Sequence, residues 1–188
     1  MQKAVTFIVI CYKEYWEAYM FCASMLLQKN PNWKCIIWHD GPNEELKTII
    51  DSFNDTRFTY IANEENLGSW GAFNRIKALE MVDTEYVIQT TLQEYYIPIT
   101  VDKILESKND FIYWNTIHHS FGYRILNSYP KITFIDWSNF AVKTKIAQSV
   151  GINHPKEYCC DGMYVEDLMN SGLIKSQIKL PLILNIKN

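Results

Sequence analysis

The sequence lacks an excess of charge of either sign, and it lacks an apolar run long enough to cross a membrane. Eighteen Lys and Arg residues against 21 Asp and Glu residues give a formal net charge of −3. This balance offers no general attraction for nucleic acid or for an anionic membrane surface, so neither is expected as a partner. No apolar run reaches the roughly 18 residues of a bilayer span, which predicts no integral membrane segment. The first ten residues show no h-region and no small-residue cleavage site, so we expect no signal peptide and a cytoplasmic location.

Spaced cysteine pairs are also missing. The five cysteines are odd in number and form no Cys-x-x-Cys motif. Cys11 and Cys35 stand within apolar runs, where a buried thiol is the simplest state. This usage indicates a reducing compartment.

The composition that remains is that of a globular domain. The chain has 188 residues, of which 48% are hydrophobic and 21% are charged. That length is typical of one domain with a substantial core, and no repeat, linker or low-complexity segment divides it. We therefore predict a single domain over residues 1–188.

Short β-branched runs alternate with segments of helical spacing along the chain. The predicted strands cover residues 5–10, 35–38, 58–61, 86–90 and 111–114. The predicted helices cover residues 16–29, 44–53, 69–81, 99–107, 144–150 and 165–170. This alternation predicts an α/β fold with a mostly parallel central sheet and helices on both faces. Residues 115–137 show no clean period, and Pro181 marks residues 179–186 as an edge strand or a docked tail.

Candidate site residues follow the strands, because ligands of such sheets bind at the carboxyl ends of the strands. Tyr12 follows the first strand and can stack on a base, although a surface tyrosine also fits. Asp40 follows the second strand and can accept a hydrogen bond from the imide N–H of uracil, although a helix-entry turn also fits. Residues 63–71 precede a helix whose start can leave backbone donors for phosphate. They form neither a P-loop nor a G-x-G-x-x-G motif.

Three carboxylates, those of Asp161, Glu166 and Asp167, fall close together late in the chain. Such a cluster can supply a general base. Acidic residues also favour the start of a helix because of its dipole. On these residues alone both interpretations stay open.

Five segments, taken in order, resemble the family 2 glycosyltransferases. They are similar to the family's opening strand, Asp-Gly-Ser turn, Glu-Asn-x-Gly loop, late connecting segment and Glu-Asp motif. In this chain they read VTFIVICY (5–12), SMLLQKNPNWKCIIWHDGPNEE (24–45), NEENLGSWGAFNRIKALEMVDTEYV (63–87), IDWSNFAVKTKIAQSVG (135–151) and VEDL (165–168). The resemblance implies a GT-A, or Rossmann-like, fold. It also implies inverting transfer of a sugar from a nucleotide sugar, a UDP-hexose, to a hydroxyl of a saccharide or glycolipid acceptor.

The resemblance also implies a nucleotide site. Tyr12 and Asp40 line the base, with Asp40 on the uracil. Asn66, Gly68 and Asn74 shape the donor pocket beside the ribose and the diphosphate.

The same resemblance implies the catalytic residues and a metal. Asp167 is the general base for the acceptor hydroxyl, and Glu166 supports it or contacts the acceptor. The family holds Mn²⁺ or Mg²⁺ with an Asp-x-Asp motif, but Thr91-Leu92-Gln93 occupies that place here. Since hard cations take oxygen ligands, Glu94 with the Gln93 carbonyl is the substitute that the sequence offers. A cation carried mainly by the diphosphate is a further possibility.

Three other functions stay open. A nucleotide-sugar-binding module without catalysis fits the missing Asp-x-Asp motif. A nucleotidyltransferase fits less well, because its Gly-rich loop and acidic metal ligands are absent. A zinc site would use His118, His119, Cys159 and Cys160, although adjacent ligand pairs fit tetrahedral zinc worse than spaced pairs do.

Overall fold

The computed structural model describes residues 1–13 and 15–186, and strands alternate with helices along them. Within these residues the strands, numbered in chain order, are β1 (Gln2–Cys11), β2 (Trp33–His39), β3 (Phe58–Ala62), β4 (Thr84–Thr90), β5 (Glu94–Tyr96), β6 (Phe111–His118), β7 (Arg124–Leu126), β8 (Phe140–Lys143) and β9 (Lys175–Asn185). The helices are α1 (Glu17–Leu26), α2 (Glu44–Ser52), α3 (Ala72–Glu80), α4 (Thr100–Ser107), α5 (Thr144–Val150) and α6 (Cys160–Asn170). The α/β class is confirmed.

The strands form one continuous sheet through the described residues. Its order is β3-β2-β1-β4-β8-β6-β9-β5, and β7 pairs with β6 outside this path. The first four strands pair in parallel, as the sequence predicts. The C-terminal half is mixed, because β8 runs antiparallel to both β4 and β6, and β9 pairs parallel to β6 but antiparallel to β5. The chain passes from β6 through β7 to β8 without an α-helix, which allows β7 and β8 to run antiparallel to β6.

Both faces of the sheet are covered, because successive side chains of the central strand point to opposite sides. On one face Val5, Phe7 and Val9 of β1 pack in a core with α1, α2 and α4. On the other face Ile8 and Ile10 pack in a second core with α3, α5 and α6. The prediction of helices on both faces is therefore confirmed.

The C-terminal segment around Pro181 differs from its prediction. β9 lies between β6 and β5 inside the sheet, so it is not an edge strand. Its register with β6 shifts between Trp114 and Thr116, opposite the stretch that contains Pro181. A proline removes one ladder hydrogen bond, and the irregular register accommodates that loss.

The helices of the described residues are short. None of those in residues 1–13 and 15–186 is long and apolar enough to cross a membrane.

Candidate active site

The Asp40 carboxylate is the centre of a dense hydrogen-bond cluster at the carboxyl end of β2. Its Oδ1 accepts hydrogen bonds from the Asn63 side chain (2.8 Å), the Leu67 backbone N–H (2.9 Å) and the Asn74 side chain (3.1 Å). Its Oδ2 accepts from the Asn66 side chain and the Gly68 backbone N–H, both at 3.0 Å. Burial raises the pKa of Asp40, but these donors together hold it below its ordinary value.

This cluster unites four of the residues predicted for the nucleotide site. Asn66 and Gly68 in the loop after β3, and Asn74 in the first turn of α3, all contact Asp40. Asp40 is 3% exposed, and five protein donors already engage its two oxygens. The carboxylate therefore fixes the loop over residues 63–68, which no sequence pattern had indicated.

Tyr12 lies beside this cluster, at the end of β1. Its ring centroid is 6.3 Å from that of His39, and the Asp40 backbone N–H donates to the Cys11 carbonyl at 2.9 Å. The His39 ring joins two turns, because its Nδ1 lies 2.7 Å from the Gly41 carbonyl and its Nε2 accepts from the Lys13 N–H. Tyr12 itself is about half exposed, so the predicted nucleotide site is accessible to solvent on the side of Tyr12.

A tight turn carries the chain from the cluster into α3. Ser69 and Trp70 both have positive φ, and Gly71 has a φ of +74°. A Cβ at Gly71 would lie 2.2 Å from Cγ2 of Ile10, so only glycine fits against β1. Non-glycine residues at positive φ are strained, and such strain concentrates at functional sites. The turn leaves Trp70 65% exposed.

An open cavity of about 890 Å³ lies next to this turn, at the carboxyl ends of β4, β6 and β9. Trp70 and Arg75 line it from the turn and α3, Thr91 and Glu94 from the segment after β4, and Asp161 from α6. Its size is that of a small-molecule site. A smaller cavity of about 410 Å³ lies at the opposite, amino end of the strands.

Arg75 is the cation of the larger cavity, and it is 2% exposed. Its Nη2 donates to the Thr90 carbonyl at 3.2 Å, and its guanidinium carbon lies 4.9 Å from the centroid of a Trp137 ring. Its Nε and Nη1 are buried without a hydrogen-bond acceptor. Burial lowers the pKa of Arg75 to about 10, which leaves the guanidinium charged at neutral pH.

Two carboxyl groups of the cavity have raised pKa values. Burial raises the pKa of Glu94 to about 7, although Asn185 and Ser138 donate to its Oε1 at 2.9 and 3.2 Å. Burial also raises the pKa of Asp161 to about 6, against the hydrogen bond that its Oδ1 accepts from the Gly162 N–H. A carboxyl group with a pKa near neutrality inside a cleft is suited to proton transfer.

Asp167 and Glu166, the predicted catalytic pair, do not line this cavity. Oδ2 of Asp167 accepts from the Asn153 side chain at 3.0 Å and lies 3.7 Å from Nε2 of His154. Oε1 of Glu166 accepts from the Ile132 backbone N–H at 3.1 Å, which ties α6 to the loop before β8. Helix α6 begins at Cys160, about one and a half turns before the predicted start at residue 165. This earlier start places Asp161, and not Asp167, on the side of α6 that lines the cavity.

The residues at the place of the Asp-x-Asp motif are partly engaged by protein donors. The Gln93 carbonyl accepts from the Ile186 N–H at 2.9 Å, and Oε1 of Glu94 accepts from Asn185 and Ser138, while Oε2 of Glu94 is buried without a hydrogen-bond partner. No group of three His, Cys, Asp or Glu side chains that could hold a metal occurs in residues 1–13 and 15–186. A zinc site from His118, His119, Cys159 and Cys160 is likewise not formed among the residues described.

Sequence reasoning missed two of the charged residues that line the cavity and underrated a third. Arg75 carries no local signal in the sequence, because its burial arises from tertiary packing. Asp136 also lines the cavity, and its position there likewise arises from tertiary packing. The sequence places Asp161 in a carboxylate cluster, but the predicted helix begins only at residue 165, so nothing in the sequence separates Asp161 from the other two carboxylates. The placement of Asp161 in the first turn of α6 is the signal that separates it from Asp167.

Comparison with known protein families supports the resemblance for the first three of the five segments, those that end at residue 87. Residues 6–91, less than half of the chain, match the model of the family described as Glycosyl transferase family 2. A comparison with curated protein sequences finds no match.

Solved structures share the fold over nearly the whole chain. S. aureus TarS 1–349 in complex with UDP superposes with a TM-score of 0.78 at 13% identity, covering 96% of this chain and 60% of that one. Mannosyltransferase PcManGT from Pyrobaculum calidifontis, in complex with GDP-Man and Mn²⁺, superposes with a TM-score of 0.77 at 14% identity. The match covers 99% of this chain and 57% of that one. The chain thus has the GT-A glycosyltransferase fold, and the resemblance to family 2 is confirmed. It spans about 60% of the length of these two proteins.

Proposed function

We propose that this protein transfers a sugar from a nucleotide sugar to an acceptor hydroxyl. The observation that carries the proposal is the convergence of α3, the segment after β4 and the start of α6 on one cavity of about 890 Å³. A charged guanidinium and a carboxyl group of raised pKa face that cavity together. Its place at the carboxyl ends of the strands is where ligands of open α/β sheets bind.

The nucleotide end of the donor is proposed to lie toward Tyr12 and the Asp40 cluster. The half-exposed Tyr12 ring offers a stacking face for the base. Asp40 fixes the amides of Asn66 and Asn74 and the backbone of Gly68 beside the α3 turn. We propose a UDP-sugar as donor, which the complex of TarS with UDP-GlcNAc supports and the complex of PcManGT with GDP-Man does not exclude.

Asp161 is the proposed general base, in place of Asp167. The acceptor hydroxyl oxygen attacks C1 of the sugar, the bond from C1 to the diphosphate oxygen breaks, and the nucleoside diphosphate leaves. The hydroxyl proton passes to the Asp161 carboxylate. A single displacement of this kind inverts the configuration at C1. Trp70 and Tyr158 both line the cavity, and their rings pack edge to face with centroids 5.5 Å apart. The two rings offer apolar faces to an acceptor saccharide.

A donor panel tests the proposal directly. UDP-, GDP- and TDP-sugars are incubated with the protein, and sugar release to water or to added saccharides is followed by mass spectrometry. Turnover with one nucleotide class, lost in Asp161→Asn, supports the proposal. Absence of any turnover with a nucleotide sugar that demonstrably binds would contradict it.

A nucleotide-sugar-binding module is the second candidate function. The specific observation in its favour is that Thr91-Leu92-Gln93 stands in place of the Asp-x-Asp motif, and that residues 1–13 and 15–186 contain no group of three His, Cys, Asp or Glu side chains that could hold a metal. Binding of a nucleotide sugar without transfer or hydrolysis, under all metal conditions, is the outcome that distinguishes this candidate.

A further inference from the structure

Arg75 is charged, buried and without an anionic partner. Among residues 1–13 and 15–186, none of the ion pairs closer than 4.0 Å includes it. Asp136 and Asp161 attract it only at longer range. Burial of an unpaired charge is costly, so a site that keeps one in place is prepared for a ligand of opposite charge.

The position of Arg75 makes a phosphate the fitting ligand. Its Nε and Nη1 have no protein acceptor, so the planar guanidinium keeps N–H groups that can donate to phosphate oxygens. The Arg75 guanidinium is held beside the end of β4 by two contacts. Nη2 donates a hydrogen bond to the Thr90 carbonyl, and the guanidinium lies over the Trp137 ring. The end of β4 is where Thr91-Leu92-Gln93 replaces the acidic metal-binding motif of the family that the sequence resembles.

We propose that Arg75 binds the diphosphate of the nucleotide sugar directly and supplies the positive charge that a divalent cation gives in related enzymes. This inference rests on the proposed function, since it needs a nucleotide sugar as ligand. It fits a cavity that keeps a buried guanidinium, in a chain whose described residues form no group of three His, Cys, Asp or Glu side chains around a metal. The raised pKa of Glu94, which is largely protonated below neutrality, lowers the negative charge that a diphosphate would meet there.

Calorimetric titration with UDP and with GDP tests the inference, each in EDTA and in Mn²⁺. We expect one nucleotide to bind with affinities that agree within about threefold in the two media. Arg75→Met should weaken that binding at least about tenfold, because a charge-assisted contact to the diphosphate is lost. Arg75→Lys keeps the charge without the planar fork, so an intermediate affinity is expected.

The matched control is Arg57→Met. The Arg57 guanidinium carbon also lies over a tryptophan, 3.9 Å from a Trp33 ring centroid, but Arg57 lines the cavity at the opposite end of the strands. Nucleotide affinity should not change in this variant. The urea midpoint of Arg75→Met should equal or exceed that of the wild type, because removal of an unpaired buried charge relieves a penalty.

The outcomes separate the inference from the proposed function. Binding that weakens tenfold or more in EDTA, or that is unchanged in a folded Arg75→Met protein, overturns the role of Arg75 and leaves the proposed function standing. If neither UDP nor GDP binds the folded wild type in either medium, and TDP does not bind either, both proposals are overturned.

Discussion

The side-chain amide of Asn74 donates a hydrogen bond of 3.1 Å to the Asp40 carboxylate, and it thereby fixes the first turn of α3 to the end of β2. The next residue, Arg75, lines the cavity. The Asp40 cluster and the cavity therefore share α3 as a common element. A substitution of Asp40 should consequently change both the stability of the protein and the position of Arg75 in the cavity.

Asp40→Asn should lower the free energy of unfolding by about 3 kcal/mol. The substitution removes the charge that strengthens the five hydrogen bonds, and it turns the N–H₂ group of the new amide toward N–H groups that need an acceptor. The measurement is urea unfolding at pH 7. Asp51→Asn is the control, since Asp51 forms an exposed ion pair with Lys47 and contributes little to stability. Equal stabilities of the two variants would show that the cluster does not hold the loop.

The same carboxylate has a pH signature with a definite sign. The folded-state pKa of Asp40 is below its ordinary value of 3.8, so its stabilising contribution is present above about pH 4 and is lost as the pH falls further. Acid unfolding of the wild type should therefore be steeper than that of Asp40→Asn. Parallel acid transitions in the two proteins would contradict the hydrogen-bonded carboxylate described here.

Asp161 and Asp167 give opposite expectations for activity. Asp161→Asn should lower kcat by about 10²- to 10⁴-fold, the contribution of a positioned base, with little change in the KM of the donor. Asp167→Asn should retain activity, because Asp167 contacts Asn153 outside the cavity. The reverse pattern in two folded variants would return the role of base to Asp167. A wild-type rate that falls tenfold per pH unit below about pH 6 would further support Asp161.

Glu94 should make the protein more stable in mild acid than at neutral pH. Its pKa is raised from 4.5 to about 7, so its protonated form stabilises the folded state below about pH 4.5, and that contribution is lost as the pH rises to 7. The full difference is roughly 3 kcal/mol. Urea unfolding across this range should show the dependence in the wild type and a smaller one in Glu94→Gln. Identical profiles would show that Glu94 has the same pKa in the folded and unfolded states.

The sequence predicts the parallel half of the sheet well, because each strand there is a β-branched run followed by turn residues. It predicts the start of α6 poorly. Gly162 lowers the helical propensity of residues 160–164, yet the structure needs it, since a Cβ there would lie 2.6 Å from the Ile132 Cα. Tertiary packing thus overrides local propensity at the point that decides which carboxylate enters the cavity. The burial of Arg75 is equally non-local, because it depends on Trp137 and on the end of β4.

The turn before α3 provides the sharpest test of the fold around the site. Gly71→Ala introduces a side chain at a φ of +74° and 2.2 Å from Cγ2 of Ile10. Gly172→Ala introduces the same side chain at a φ of +76°, with nothing within 4 Å. Both variants lose roughly 1 kcal/mol to the left-handed backbone, so their difference measures the contact alone.

That difference should be roughly 2 kcal/mol, because the overlap forces either β1 or the turn to shift. Chemical denaturation of the two variants side by side gives the value. A shifted turn would also displace Trp70 and Arg75, so Gly71→Ala should bind nucleotide more weakly than Gly172→Ala. If the two alanine variants are equally stable and bind equally well, the close approach of Gly71 to Ile10 does not shape the cavity.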